Sequence, residues 1–277
     1  MRRLLVALAL MATAGSSLEW KAVYLVKNRD HTVRVYDTGG AAVTGVIRLP
    51  GVGRVLRVAA ADEGFHVVTE AVEYGPDSYF RLRPPRYEPE PADILAGHGL
   101  AVTRDGTRAA YMTGAPEHPT LVIRDLRTGR QTTTKSDPVM RLTWTPDGRR
   151  LLLSTIPVCD DTSDCVFPET LRFHDSERPV KTFRTITAAP VVTGDLILVP
   201  KRGGIIEHYS HDGRLLRRVR TPGEIAQISV RAGRLLVVVA EDRMWPGRGT
   251  RLVTGPLTGG EWHDLPWDAT TMETAAW

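Results

Sequence analysis

The sequence predicts an all-β chain folded as a six-bladed β-propeller with four-stranded antiparallel blades. Three observations predict it. Glycine turns between β-prone runs recur at a near-constant spacing, the runs between them read as strands without helix, and the last residues match a strand that the first repeat lacks.

The turns come first. "ADEGFHVV", "TRDGTRAAY", "TPDGRRLLL", "VTGDLILV" and "RAGRLLVVV" place Gly64, Gly106, Gly148, Gly194 and Gly233 at intervals of 42, 42, 46 and 39 residues. Asp-Gly and similar pairs supply the positive φ of tight hairpins, and between two β-prone runs they are the strongest short-range hairpin signal. Self-similarity at about 40–45 residues, all strand, marks a propeller with four strands per blade.

Each repeat then fills in. The first has "KAVYLV" as its second strand, "TVRVYDTGG" (32–40) as its third and "AAVTGVIRL" (41–49) as its fourth, with no innermost strand just before Lys21. In the second, "DSYFRLRP" is the third strand, and the proline-rich "PPRYEPEP" (84–91) is expected as a long outer loop. Further third strands end in Asp in "LVIRDLRTG" (121–129), "LRFHDSERP" (171–179) and "IEHYSHDG" (206–213). Asp there opens a turn by bonding its own backbone. "RLLRRVR" (214–220) reads as a solvated outer strand. The final "METAAW" aligns with "MRLTW" (140–144), so the C-terminal strand is expected to pair into the first blade and close the ring without free edges.

Residues 1–18 have no place in that ring. "MRRLLVALALMATAGSS" has two arginines, a short apolar stretch and Ala12-Thr13-Ala14, the layout of a secretory signal cleaved near Ala14/Gly15. The stretch is too short for a transmembrane helix, which needs about 20 residues. The alternative is a buried strand, since "RRLLVALAL" is much like "RRLLLST". Residues 19–277 are expected to form one domain.

Bulk composition narrows the partners. Hydrophobic content of 42% and charged content of 25% suit a soluble globular protein, and the net charge is +4. That excess lacks the clustered basic face of a nucleic-acid binder, so no nucleic acid is expected.

"LTWTPDGRRLLLS" resembles the repeat of TolB-type propellers, and "AVYLVKNRDHTVRVYDTGGAAVTGVIRLPG" (22–51) resembles a YVTN-type repeat. The resemblance implies the fold and leaves function open, because propellers host binders and unrelated enzymes. The extra N-terminal domain of TolB finds no match here, so TolB's own partnership with a peptidoglycan-associated lipoprotein is not expected to carry over.

The resemblance also implies that connections between second and third strands share one face beside the channel mouth. They are longer and more charged than the opposite turns, so this is the expected binding surface. Its candidate residues are Arg29, Asp30, His31, Tyr74, Glu117, His118, Arg243 and Trp245. Trp245 between Arg243 and Arg248 has the composition of an interface anchor.

Catalytic patterns are weak. The His-Asp pairs at 174–175, 211–212 and 263–264 are read as repeat positions at third-strand ends, not as base and orienting carboxylate. In "HYSHD", strand alternation sends His208 and His211 to opposite faces, and no zinc spacing, nucleophile elbow, phosphate loop or dinucleotide fingerprint appears. No cofactor and no metal are expected. "CDDTSDC" sets Cys159 and Cys165 in the fourth repeat's loop, where a disulfide would fit an exported protein; reduced surface thiols, or calcium on the neighbouring aspartates, are the alternatives.

The expectation is therefore an exported, monomeric, non-catalytic scaffold that binds a protein or cell-envelope component. The rival is a lyase or lactone hydrolase with its site at the channel mouth.

Overall fold

The computed structural model describes residues 23–28, 32–37, 41–50, 54–70, 78–92, 98–114, 119–157, 168–240, 250–265 and 272–276. Its strands form six four-stranded antiparallel sheets in a propeller arrangement. The first sheet holds β1 (Val23–Asn28), β2 (Thr32–Asp37) and β3 (Ile47–Arg48). The second holds β4 (Arg54–Ala61), β5 (Gly64–Glu70), β6 (Ser78–Leu82) and β7 (Pro89–Ala92), and the third β8 (His98–Val102), β9 (Arg108–Thr113), β10 (Thr120–Asp125) and β11 (Gln131–Lys135). The fourth has β12 (Val139–Trp144), β13 (Leu151–Thr155), β14 (Glu169–Phe173) and β15 (Pro179–Phe183). The fifth has β16 (Val191–Thr193), β17 (Leu196–Lys201), β18 (Ile205–Ser210) and β19 (Leu215–Arg220). The sixth has β20 (Glu224–Arg231), β21 (Arg234–Ala240), β22 (Thr250–Pro256) and β23 (His263–Asp264). The last strand, β24 (Met272–Ala276), pairs antiparallel with β1 in the first sheet, Leu25 opposite Ala276.

Within each sheet the chain moves outward, and burial follows. The second strands are the apolar heart: Leu151, Leu152 and Leu153 of β13, and Leu235 to Val239 of β21, are all buried. Continuous apolar runs are what a strand covered on both faces needs. Successive residues point to opposite faces, so Leu151 and Leu153 join a cluster with Ala110 and Leu121 of the third sheet, while Leu152 joins Ile197 and Val199 of the fifth. The sheets are thus bound to one another by interleaved side chains.

The Asp-Gly turns lock by a repeated pattern. Thr103 Oγ1 donates to Asp105 Oδ1 at 2.6 Å, Gly106 N–H donates to Thr103 O at 2.9 Å, and Arg108 N–H returns to Thr103 Oγ1 at 3.0 Å. Thr145, Asp147, Gly148 and Arg150 repeat it with closely matching distances. The glycine at each turn has φ near +67°, at Gly106 (+68°) and Gly148 (+66°), a conformation that L side chains resist.

Two expectations are corrected. The proline-rich stretch is not all loop: Pro89–Ala92 forms β7, the fourth strand of the second sheet, with Phe80 opposite Pro91 and Leu82 opposite Pro89. The prolines are two apart, so their missing donors fall on one side of the strand, and an edge strand has an unpaired side for them. The pair His263-Asp264 is β23, an outer strand, and not the end of a third strand. Among the described residues no helix is long and apolar enough to cross a membrane.

Candidate functional site

The innermost strands β4, β8, β12, β16 and β20 surround a cavity of about 610 Å³. Leu100, Leu142 and Ile228 give its wall an apolar part, and Thr143, Gln227, Ser229 and Arg231 a polar one. Turn residues Asp62, Arg104, Pro146, Gly194 and Gly233 from successive blades also line it, so the first-to-second-strand turns converge at one end. There Arg104 Nε donates to Asp62 Oδ1 at 2.8 Å across the seam between the second and third blades. Ser229 Oγ is buried without a partner among the described residues. The described lining has hydroxyls, an amide, guanidinium groups and the Asp62 carboxylate but no histidine or cysteine.

The connections between second and third strands leave from the opposite end of each sheet. The longest, residues 156–168, joins β13 to β14 and carries both cysteines. Its root is a charged cluster. Glu169, the first residue of β14, is buried; its carboxylate accepts from Ser154 Oγ at 2.6 Å and from Arg141 Nη1. Arg141 Nη2 also donates to Ile186 O at 3.4 Å, so one guanidinium ties the innermost strand to the loop root and to the link toward the fifth blade.

The fifth blade continues the cluster. Lys201 Nζ donates to Thr185 O and lies 4.9 Å from the Phe183 ring centre. Phe183 meets Tyr209 edge-on at 5.4 Å, and Lys181 Nζ caps the Tyr209 ring at 4.8 Å. Tyr209 Oη donates to Glu207 Oε2 at 2.7 Å, and Arg218 Nε donates to Glu207 Oε1 at 2.9 Å. Burial lowers the Lys201 pKa, against the pull of Glu207 and Glu169. Burial resists ionisation of Glu207, yet the bonds from Tyr209 and Arg218 prevail and its pKa falls. Burial and the bond to Glu207 push the Tyr209 phenol up.

A second buried polar pair lies in the second blade. His66 Nδ1 bonds Tyr79 Oη, with the rings stacked at 5.6 Å. Burial, then the charges of Arg81 and Arg83, lower the His66 pKa to about 3. Its imidazole is neutral at physiological pH and serves packing.

Arg29, Asp30, His31, Tyr74, Glu117, His118, Arg243 and Trp245 all lie outside the described residues, as do Cys159 and Cys165. The His-Asp pairs are separate and structural in their contacts. His174 Nδ1 accepts from Leu151 N–H at 3.1 Å, Asp175 pairs with Arg150 at 2.8 Å, Asp212 accepts from Ser210 Oγ, and Asp264 meets Arg251 at 3.3 Å. Among the described residues no group of three or more His, Cys, Asp and Glu side chains could hold a metal ion.

The Arg141–Glu169–Lys201 cluster escaped sequence reasoning. Two signals pointed toward it: the widest interval, 46 residues between Gly148 and Gly194, and a glutamate opening the strand "ETLRF" directly after the cysteine loop.

No family model matches the chain, and no curated protein matches it. Solved structures do. TolB from Acinetobacter baumannii is 14% identical with a TM-score of 0.61, over 92% of this chain and 65% of that one, so this chain spans just under two thirds of that protein's length. A putative TolB from Agrobacterium tumefaciens is 16% identical, TM-score 0.57, over 91% of this chain and 90% of that one. A chain of the nidogen/laminin complex is 9% identical, TM-score 0.61, over 92% and 98%. The fold is a β-propeller like that of TolB.

Proposed function

We propose that this chain is an exported, non-catalytic binding protein that holds a protein or cell-envelope component on the face bearing its second-to-third-strand connections. One observation carries the reading: those connections range from residues 202–204 to residues 156–168, and the longest is rooted in the partly buried Glu169–Arg141 pair. A rigid scaffold with variable loops at one end is the usual architecture of a binding surface. Two of the similar structures bear the name TolB, and a third belongs to a complex between two proteins. In this reading all six sheets close into one ring, with Met272–Ala276 as the innermost strand of the first. Its pairing with β1 and its packing beside β4 and β20 support that closure.

Residues 1–18 are then the signal removed on export, Cys159 and Cys165 form a disulfide in the longest connection, and the loop residues from Arg29 to Trp245 named above supply the contacts. The test is recovery of bound material from the envelope fraction of the native host, using the wild type, Trp245→Ala and, on the opposite face, Arg104→Ala. One partner lost with Trp245→Ala and kept with Arg104→Ala supports the reading. Equal recovery by all three overturns the assignment of the face. Intact mass of the native protein, with alkylation of free thiols, tests export separately: an uncleaved chain with two free thiols removes that part.

A further inference from the structure

The outermost strand of a blade leaves one row of backbone donors and acceptors open, and five of these strands are blunted. β3 and β23 are two residues long, and β7 contains Pro89 and Pro91. β15 begins at Pro179 beside a register shift, and β19 has a register shift with Arg217, Arg218 and Arg220. Shortness, proline, irregular register and charge are the defences that natural sheets use against edge-to-edge pairing. β11 has none before its last residue. Its five residues, Gln-Thr-Thr-Thr-Lys, are all exposed and pair with β10 without a register shift.

Hydrogen-bond parity tells which of its groups are open. Asp125 N–H donates to Arg130 O at 2.8 Å, and Ser136 N–H donates to Pro119 O at 3.2 Å. Between them Ile123 faces Thr132, Val122 faces Thr133 and Leu121 faces Thr134. Antiparallel alternation therefore spends the backbone of Thr132 and Thr134 on β10, and turns the N–H and C=O of Gln131, Thr133 and Lys135 outward.

We infer that β11 pairs with β11 of a second copy, antiparallel about a two-fold axis at Thr133. In that register Thr133 faces Thr133, Gln131 faces Lys135 and Thr132 faces Thr134. Each of the pairs 133–133 and 131–135 exchanges both of its N–H···O bonds, threonine meets threonine, and no two like charges stand opposite each other. The contact is isologous and closes on itself. The self-match argues for a second copy over an unrelated extended segment, which would meet the same open donors without the Gln131–Lys135 complement. A five-residue edge buries less than the roughly 1,000 Å² of a stable interface, so the pairing is weak and concentration-dependent. It departs from the monomer that the sequence suggests, and it stands independently of the binding-face reading.

Sedimentation velocity of the full chain, up to about 1 mM so that a weak dimer is populated, tests it. The wild type is expected to move from monomer toward dimer with concentration. Thr133→Pro is expected to stay monomeric with an unchanged thermal midpoint, because the lost N–H serves no bond to β10. Gln131→Lys, which opposes lysines twice across the axis, is expected to weaken association about tenfold, and Gln131→Glu to strengthen it. If Thr133→Pro does not fold, the two Gln131 variants decide. A wild type that is monomeric throughout overturns the proposal, as does a dimer that these substitutions leave unchanged.

Discussion

Two kinds of seam between blades hold together by different chemistry. Between the third and fourth blades, Trp144 Nε1 donates to Ala101 O at 3.2 Å, Arg108 Nη1 donates to Gly148 O at 2.9 Å, and the Arg108 guanidinium lies 4.6 Å from the centre of the Trp144 ring. The seam between the fifth and sixth blades uses the same device: Trp262 Nε1 donates to Arg220 O at 3.0 Å and Arg217 Nη1 to Thr258 O at 2.9 Å. In both, an indole and a guanidinium each reach a backbone carbonyl of the adjoining blade. Between the fourth and fifth blades, beside the neutral bond from Thr143 Oγ1 to Pro190 O, stands the partly buried Arg141–Glu169 pair, with Lys201 close by. Buried ion pairs return little net stability for their desolvation. A seam built this way needs a reason other than stability, and Glu169 supplies one: as the first residue of β14 it fixes the point where the longest connection rejoins the sheet.

The comparison can be broken at several levels. The largest effect is expected from deleting residues 271–277, which removes β24 and leaves β1 an open edge in the first sheet. Cooperative unfolding by heat or urea should be lost or shifted far down, and a truncated chain that melts like the full one would remove the closed ring. Next, Glu169→Gln strands the Arg141 guanidinium and should cost about 2–3 kcal/mol by urea denaturation, below the range for full burial because the Arg141 side chain keeps 21% exposure. The double change Arg141→Met with Glu169→Leu should recover most of that loss. If it recovers stability but loses the partner, the seam is there for binding.

A pH effect of similar size belongs to the second blade. Folded His66 protonates only near pH 3, against an ordinary value of 6.5. The unfolded chain therefore binds the proton first, so stability is complete above about pH 6.5 and declines as pH falls, by about 2 kcal/mol at pH 5. His66→Gln should flatten most of that slope in urea titrations between those values. His208, also lowered by burial and by Arg217, contributes in the same direction and should leave a remainder. The smallest effect is expected at a repeat-type seam: Trp262→Phe removes one hydrogen bond to Arg220 O and should cost about 1 kcal/mol. A cost larger than that of Glu169→Gln would reverse the ranking of the two seams.

The hairpins were legible because their signals are local. Asp105-Gly106 and Asp147-Gly148 bond within five residues of Thr103 and Thr145, and the apolar runs after them are the second strands. The spacing of those turns set the positions of the blades, and the match between the last residues and "MRLTW" located the strand that pairs with β1. The proline-rich edge was missed because proline is read as a loop signal, and only the sheet reveals which side of a strand goes unpaired. The charged seam was missed for a different reason. Arg141 and Glu169 are 28 residues apart, a distance that is not part of the repeat. The sequence by itself determined the repeated unit, since turn chemistry and strand burial act over a few residues. Which non-repeating side chains meet at a seam was decided by the tertiary structure, because closing the sheets against one another sets those distances.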